Sequence, residues 1–239
     1  MNRQGNTYTV IYSVALVLLV GVVLSLVYQA LRPTQEENIA NDTKKQILAA
    51  ARIIPEKGES ISELYASHIL KSYIVNSKGN QINSNQEAFN VNVATQVKLE
   101  DDKRELPVYE CETSNGLKYI LPVYGAGLWG PIWGYIAFNE DGESIYGAYF
   151  AHQGETPGLG AEIEKPKFAD QFEGKKIFNA EGNFSPILVV KAGQAPANSE
   201  YVNAVSGGTI TSQGVQKMLS NSLAPYAAFL EKIRQQSSK

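Results

Sequence analysis

In 239 residues the chain has one cysteine, Cys111, and two histidines, His68 and His152. A single thiol excludes an internal disulfide and every cysteine-rich metal or iron–sulfur signature, so the chain brings no redox group of its own. Two histidines so far apart could hold a metal only with carboxylates to complete the set. Basic residues are also in short supply: 21 Lys and Arg stand against 24 Asp and Glu, for a net charge of -3. They are scattered among the acids, so no basic face for a phosphate backbone forms and nucleic acid is not an expected partner. Gly125-Ala126-Gly127-Leu128-Trp129-Gly130 has the Gly-x-Gly-x-x-Gly spacing after a strand-like run, but a second strand-like run, Ile132 to Phe138, follows it where the dinucleotide fingerprint requires a helix. Internal repeats and low-complexity arrays are missing too.

What is present begins with Val10 to Leu31, a run without one charged residue, made chiefly of Val, Leu, Ala and Ile. As a helix rising about 1.5 Å per residue it reaches roughly 33 Å, enough for about 30 Å of bilayer hydrocarbon. The run is long for a signal-peptide core, and Tyr28-Gln29-Ala30 is a poor small-x-small cleavage site, so an uncleaved anchor is expected. Tyr8, Tyr12 and Tyr28 suit the two interfaces. Charge does not fix the orientation, because Arg3 lies on the short side and Arg32, Lys44 and Lys45 on the long one.

The expected organisation is a short tail over 1–9, a transmembrane helix over 10–31, a juxtamembrane helical connector over 32–55 and one domain over 56–239. Within the connector, Gln35 to Ile54 is rich in helix formers, with Pro33 near its start and Pro55 as its stop. A second helical pattern spans Ser60 to Ile74, with Ile61, Leu64, Tyr65, Ile69 and Tyr73 on one side and Ser60 and Glu63 at capping-box spacing. Residues 76–104 are polar and Asn-rich and read as a solvated excursion with one strand around Phe89 to Val97. Leu117 to Tyr124, Ile132 to Phe138 and Ser144 to His152 are rich in Tyr, Ile, Val and Phe and predict an antiparallel sheet. Asn139-Glu140-Asp141-Gly142 supplies a hairpin turn. Lys165 to Phe178 contains a short helix from Pro166, Ile187 to Lys191 predicts a buried strand, and two helices follow Ser212. Val215, Met218 and Leu219 form the apolar side of the first, and Tyr226, Phe229, Leu230 and Ile233 that of the second.

Three glycine-rich stretches interrupt this pattern. Gly125 to Gly134 holds four glycines and both tryptophans, Trp129 and Trp133, which could fill the core under a loop or cover a flat ligand ring. His152 to Glu164 contains Pro157-Gly158, a tight turn whose amides can face a ligand. His152 with Glu155 lacks a third partner for metal or acid–base chemistry. Ser206 to Val215 reads Ser-Gly-Gly-Thr-Ile-Thr-Ser-Gln-Gly-Val, where two glycines precede a hydroxyl at a helix start. Such a turn suits a phosphate, although an ordinary turn and cap would look the same.

Gly-Leu-Trp-Gly-Pro-Ile-Trp-Gly from Gly127, Gly-Glu-Thr-Pro-Gly-Leu-Gly from Gly154 and Ser-Gly-Gly-Thr-Ile-Thr-Ser from Ser206, with the anchor, resemble the C subunits of the sodium-translocating NADH:quinone reductases. The resemblance covers nearly the whole chain. The second and third motifs are shared with other FMN-binding domains, including the G subunit of the Rnf electron-transport complex, while the Trp129 loop points to the quinone reductase family. An Rnf-type electron carrier and a flavin-free, membrane-tethered assembly module remain alternatives on the residues alone.

The resemblance implies an α+β fold: a transmembrane helix, then one FMN-binding domain with an antiparallel sheet flanked by helices. It implies FMN joined through its phosphate to the Thr209 hydroxyl, with Ser206, Gly207, Gly208 and Thr211 beside the attachment point. Glu155, Thr156, Pro157, Gly158, Leu159 and Trp129 are the further expected cofactor residues. The chain departs from the family pattern at Gly208, usually alanine, and at Asn203, usually aspartate. Thr211 and Ser212 are fallback hydroxyls. Since no base adjoins Thr209, a separate flavin transferase with FAD as donor is implied. The expected partners are the other subunits of the reductase, that transferase and membrane lipid. The expected location is the bacterial inner membrane with the soluble domain in the periplasm.

Overall fold

The computed structural model describes residues 5–237, so Arg3 lies outside the described residues. Two compact units are present, one ending at Thr43 and one beginning at Lys44. In the first, Val10 to Leu31 lies within helix α1 (Asn6–Ala50), and its apolar side chains are exposed. This is one helix long and apolar enough to cross a membrane.

Two boundaries of α1 differ from expectation. Pro33 lies inside the helix rather than separating two helices, and the helix stops at Ala50, well before Pro55. The stop has a local cause. Arg52 takes a left-handed φ of 61°, Ile53 N–H donates to Leu48 O at 3.0 Å, and Arg52 N–H donates to Ala49 O at 2.9 Å. These are the two bonds of a Schellman cap, here built without glycine.

Helix α2 (Ile61–His68) starts as expected, with the Ser60 hydroxyl accepting from Glu63 N–H. It does not continue to Ile74. The backbone turns extended at Ile69, and Ile69–Val75 is strand β1. Ile69, Tyr73, Ile74 and Val75 are β-branched or aromatic, and pairing with a neighbouring strand outweighs the weaker helical spacing. Strand β2 (Gln81–Ile82) pairs with β1. The strand expected around Phe89 to Val97 is instead a 3-10 turn, Ala88–Asn90, followed by the one-turn helix α3 (Val93–Gln96). Asn92 caps α3 by accepting from Thr95 N–H at 3.2 Å, a local bond that competes with extended structure.

Strands β3 (Leu106–Thr113), β4 (Gly116–Ala126), β5 (Pro131–Phe138) and β6 (Ile145–His152) complete a six-stranded antiparallel sheet in the order β2-β1-β3-β4-β5-β6. Three of these strands are where the sequence places them; β3 is an addition. After β6 come α4 (Pro166–Ala169), β7 (Leu188–Val190) and β8 (Tyr201–Asn203), then α5 (Thr209–Leu223) and α6 (Ala227–Ser237). β7 and β8 pair in parallel as a separate ribbon.

Side-chain alternation gives the sheet two buried faces. On one, Val108, Leu121, Val123, Ile136 and Phe138 pack under α5 and α6, including Val215, Met218, Leu219, Tyr226, Phe229 and Leu230. On the other, Tyr109, Cys111, Ile120 and Ala137 meet Ile47 and Ala50. Phe150, Phe168 and Phe172 form an aromatic cluster with centroids 5.1 to 5.6 Å apart, fixing the segment that follows β6.

Candidate flavin site

Helix α5 is fixed from both sides before it reaches the site. Ser222 Oγ accepts from Tyr124 N–H of β4 at 3.2 Å, and Gln216 Oε1 accepts from Val189 N–H of β7 at 2.8 Å. Its first residue is Thr209 and its N-cap is Gly208, which has no side chain to satisfy the first-turn amides. The preceding turn is braced from within α5: Ser212 Oγ accepts from Val205 N–H at 3.0 Å, and Gly208 N–H donates to Val205 O at 3.0 Å. Gly207 has a φ of 74°, and a Cβ there would sit 2.5 Å from Leu159 Cδ2. A glycine is what lets this turn lie against Leu159.

The segment after β6 closes one side. Thr156 O accepts from Leu159 N–H at 3.1 Å around Pro157-Gly158, with Gly158 at a φ of 75°. That is a type II turn, with proline and glycine in the positions it requires. The loop between β4 and β5 closes another side, held by Gly127 N–H donating to Gly130 O at 2.8 Å.

Together the three segments enclose a cavity of about 210 Å³. Of the residues singled out in the sequence, Trp129, Glu155, Thr156, Leu159, Gly207, Gly208, Thr209 and Thr211 line it. Ser206, Pro157 and Gly158 do not. Ser206 and Gly158 instead border a neighbouring open cleft of about 870 Å³. Leu128, Gly160 and Ile210 also line the smaller cavity and were not singled out, although Leu128 and Ile210 sit beside residues that were. An isoleucine set between two threonines at the start of a helix is the sequence signal that could have found the last.

The two readings of the tryptophans separate. Trp133 is half-buried and donates from Nε1 to Gln46 Oε1 at 3.0 Å, a packing role. Trp129 is 69% exposed at the cavity and fills no core.

The hydroxyls separate as well. Thr209 and Ser206 are exposed. Thr211 and Ser212 are buried and already bonded, Thr211 to Glu155 Oε2 at 2.5 Å and Ser212 to Val205. The Glu155 carboxylate is buried. Burial pushes its pKa upward, but hydrogen bonds from Thr211 and from the backbone of the Trp129 loop outweigh this and hold it below the ordinary value. His152 Nδ1 accepts from Glu155 N–H at 3.1 Å, and its Nε2 faces Glu164 Oε2 at 3.5 Å. Among the described residues no cluster of three or more His, Cys, Asp and Glu could hold a metal ion.

The residues present fit an FMN. Uncapped first-turn amides of α5 suit the phosphate, and the exposed apolar surfaces of Trp129, Leu128, Leu159 and Ile210 suit the ring. The cavity is smaller than the roughly 300–1,000 Å³ of pockets that engulf a ligand, so an FMN would lie partly outside it.

Residues 127–224 match the family model described as an FMN-binding domain, a span that contains the second and third glycine-rich segments whole and the first from Gly127 onward. The C subunit of the Na(+)-translocating NADH-quinone reductase of Vibrio anguillarum is 34% identical, over 98% of this chain and 97% of that protein. The crystal structure of the C subunit of the same reductase from Parabacteroides distasonis superposes with a TM-score of 0.77 at 44% identity, covering 84% of this chain and 96% of that one. Shewanella oneidensis NqrC has the same fold, with a TM-score of 0.68 over 82% of this chain and 98% of its own, at 24% identity. With identity at this level sustained along both chains, the protein belongs to the family formed by the C subunits of the Na(+)-translocating NADH-quinone reductases.

Proposed function

We propose that this protein is the membrane-anchored, FMN-carrying electron-transfer subunit of a sodium-translocating NADH:quinone reductase, with the flavin joined by a phosphoester to Thr209. The observation that carries the reading is the placement of Thr209: an exposed hydroxyl on the first residue of an uncapped fifteen-residue helix, at the rim of a cavity framed by three glycine-rich segments. FMN supplies reversible one- and two-electron chemistry. The chain's residues bind and orient. The α5 amides receive the phosphate, Thr156 and Leu159 border the ring with the Trp129 loop, and Gly207 and Gly208 leave space for the attachment. Ser206, Pro157 and Gly158 shape the turns at the rim without lining the cavity.

A threonine hydroxyl is a weak nucleophile, and no base bonds to Thr209 among the described contacts, so attachment falls to a separate flavin transferase. The organisation proposed is a membrane span over 10–31, a helical connector that continues α1, and a flavin domain whose core already takes in Ile47 and Ala50. The domain lies in the periplasm, facing the other subunits of the complex.

Coexpression with a flavin transferase, denaturing electrophoresis under ultraviolet light and mass analysis of the peptide containing Thr209 test the reading. A fluorescent band and a peptide heavier by one FMN phosphoryl group are expected, and both vanish in Thr209→Val. An unlabelled wild-type band overturns the proposal. Protease accessibility in sealed cells and inverted vesicles tests the periplasmic placement.

A further inference from the structure

Among the described residues Glu155 is the one acidic side chain in the buried core, and it touches all three segments of the cavity. Its Oε1 accepts from Trp129 N–H at 2.8 Å. Its Oε2 accepts from Thr211 Oγ1 of α5 at 2.5 Å. Its own N–H donates to His152 Nδ1 at 3.1 Å, tying the residue to the end of β6. Two glycines are shaped around the same carboxylate. A Cβ at Gly127 would sit 2.5 Å from Oε1, and one at Gly160 would sit 2.4 Å from Oε2. Glycines in two of the three segments are therefore needed for the carboxylate to fit between them, which is more than flexible turns require. A buried carboxylate normally neutralises itself or pairs with a cation, yet among the described contacts this one has no Lys or Arg partner. Dipoles of the Trp129 amide and a hydroxyl hold it, and they favour the charged form.

We propose that Glu155 is the positioning residue of the flavin cradle: its carboxylate locks the Trp129 loop, the Thr156–Gly160 turn and α5 together, and fixes a negative charge at the cavity that lowers the reduction potential of the flavin. The proposal rests on the FMN reading given above. The carboxylate lines the cavity but its oxygens are committed to protein donors, so it acts on the flavin through the loops it holds and through its field. A fixed anion beside the flavin disfavours any reduced form more negative than the oxidised ring. The shape and the charge are separable. Glutamine keeps the length and an acceptor oxygen for the Trp129 amide, and Thr211 can reverse its hydroxyl to accept from the new NH2, while the charge is gone. Alanine removes both.

Two variants in the full chain test this. In Glu155→Gln, attached flavin and the melting temperature of the flavin-free protein should stay near the wild type. The midpoint potential, read by spectroelectrochemical titration, should shift upward, with a several-fold higher reduced fraction at a fixed ambient potential. An unmoved or lowered midpoint overturns the charge. In flavin-free Glu155→Ala, amide exchange at Trp129 should be at least about tenfold faster, since the acceptor of that amide is gone. Unchanged exchange at that amide overturns the brace. If the wild type takes up no flavin, the function reading fails, and the exchange measurement still decides the brace on its own.

Discussion

Thr209 and Thr211 lie two residues apart on one helix and meet opposite surroundings: Thr209 is exposed at the cavity rim, whereas Thr211 is 1% exposed and donates to the buried Glu155 carboxylate at 2.5 Å. The same chemical group therefore has two jobs, and matched substitutions should separate them. Thr209→Val removes an exposed hydroxyl and should leave urea unfolding unchanged while abolishing covalent flavin. Thr211→Val is near-isosteric but removes a donor to a buried charge, and should cost about 1.5–3 kcal/mol of stability while the fluorescent band persists. Labelling lost in Thr211→Val and retained in Thr209→Val would reverse the assignment.

The two adjacent glycines should respond differently to alanine. At Gly207 the φ of 74° is left-handed and a Cβ meets Leu159 Cδ2 at 2.5 Å. Gly207→Ala should therefore cost about 1–2 kcal/mol from the backbone alone, and Leu159 must move as well. At Gly208 the φ is -106°, and the nearest atoms to a Cβ are Val205 Cγ1 at 3.1 Å, Val205 Cβ at 3.2 Å and Gly160 Cα at 3.3 Å. These contacts are tight and can relax by a few tenths of an ångström. Gly208→Ala, which restores the residue usual in the family pattern, should stay within about 0.5 kcal/mol of the wild type and keep its flavin. Urea denaturation with an unchanged m-value, alongside the fluorescent band, reads both effects.

How much of this was legible in the sequence depends on the range of the interactions involved. β4, β5 and β6 announce themselves because each is a run of aromatic and β-branched residues ended by a turn. β1 was disguised, since Ile61, Leu64, Tyr65, Ile69 and Tyr73 also satisfy helical spacing, and only pairing of Ile74 with Pro107 and Val75 with Leu106 decides the matter. β3 carries a proline at 107, which argues against a central strand, and β8 is only three residues long. The glycine motifs named most of the cavity. They could not show that Glu155 reaches Thr211 across 56 residues, nor that Ser206 turns toward the neighbouring cleft, because both depend on how the loops are folded against each other.

Arg104 is the clamp that holds the polar excursion over 76–104 to the helix carrying Thr209. Its guanidinium donates to Leu99 O at 3.0 Å, Val97 O at 3.1 Å and Asn221 O near the end of α5 at 2.9 Å, and pairs with Asp101 at 3.1 Å. The side chain is only 10% exposed. A lysine has the charge but not the fork, so Arg104→Lys cannot reach these acceptors together. It should cost about 1.5–3 kcal/mol and speed amide exchange across 97–104. Exchange unchanged in that segment would show that the excursion is held by other contacts.

Alkaline pH should destabilise the domain in two steps with different owners. Cys111 is fully buried, and burial pushes its thiol up from an ordinary 9.0 to about 12, against a smaller opposing effect of Lys118. Tyr109 and Tyr226 are raised well above 10.0, chiefly by burial. Each of these groups is neutral when protonated, so the fold favours the protonated form. Below the unfolded-state values of about 9 and 10 neither state has lost a proton, and stability is flat with respect to these groups. Above them the unfolded chain ionises first and binds fewer protons than the native one, so stability falls by about 1.4 kcal/mol per pH unit for each group involved. Urea titrations from pH 8 to 11 should show the onset near 9 from the thiol and a steeper decline above 10 from the tyrosines. Cys111→Ala should lower stability throughout by the lost packing, yet remove the slope between 9 and 10 and leave the steeper limb. A slope that survives there in the variant would assign it to another group, while Tyr226→Phe should soften only the limb above 10 and, by removing the donor to Pro107 O at 2.8 Å, lower the plateau as well.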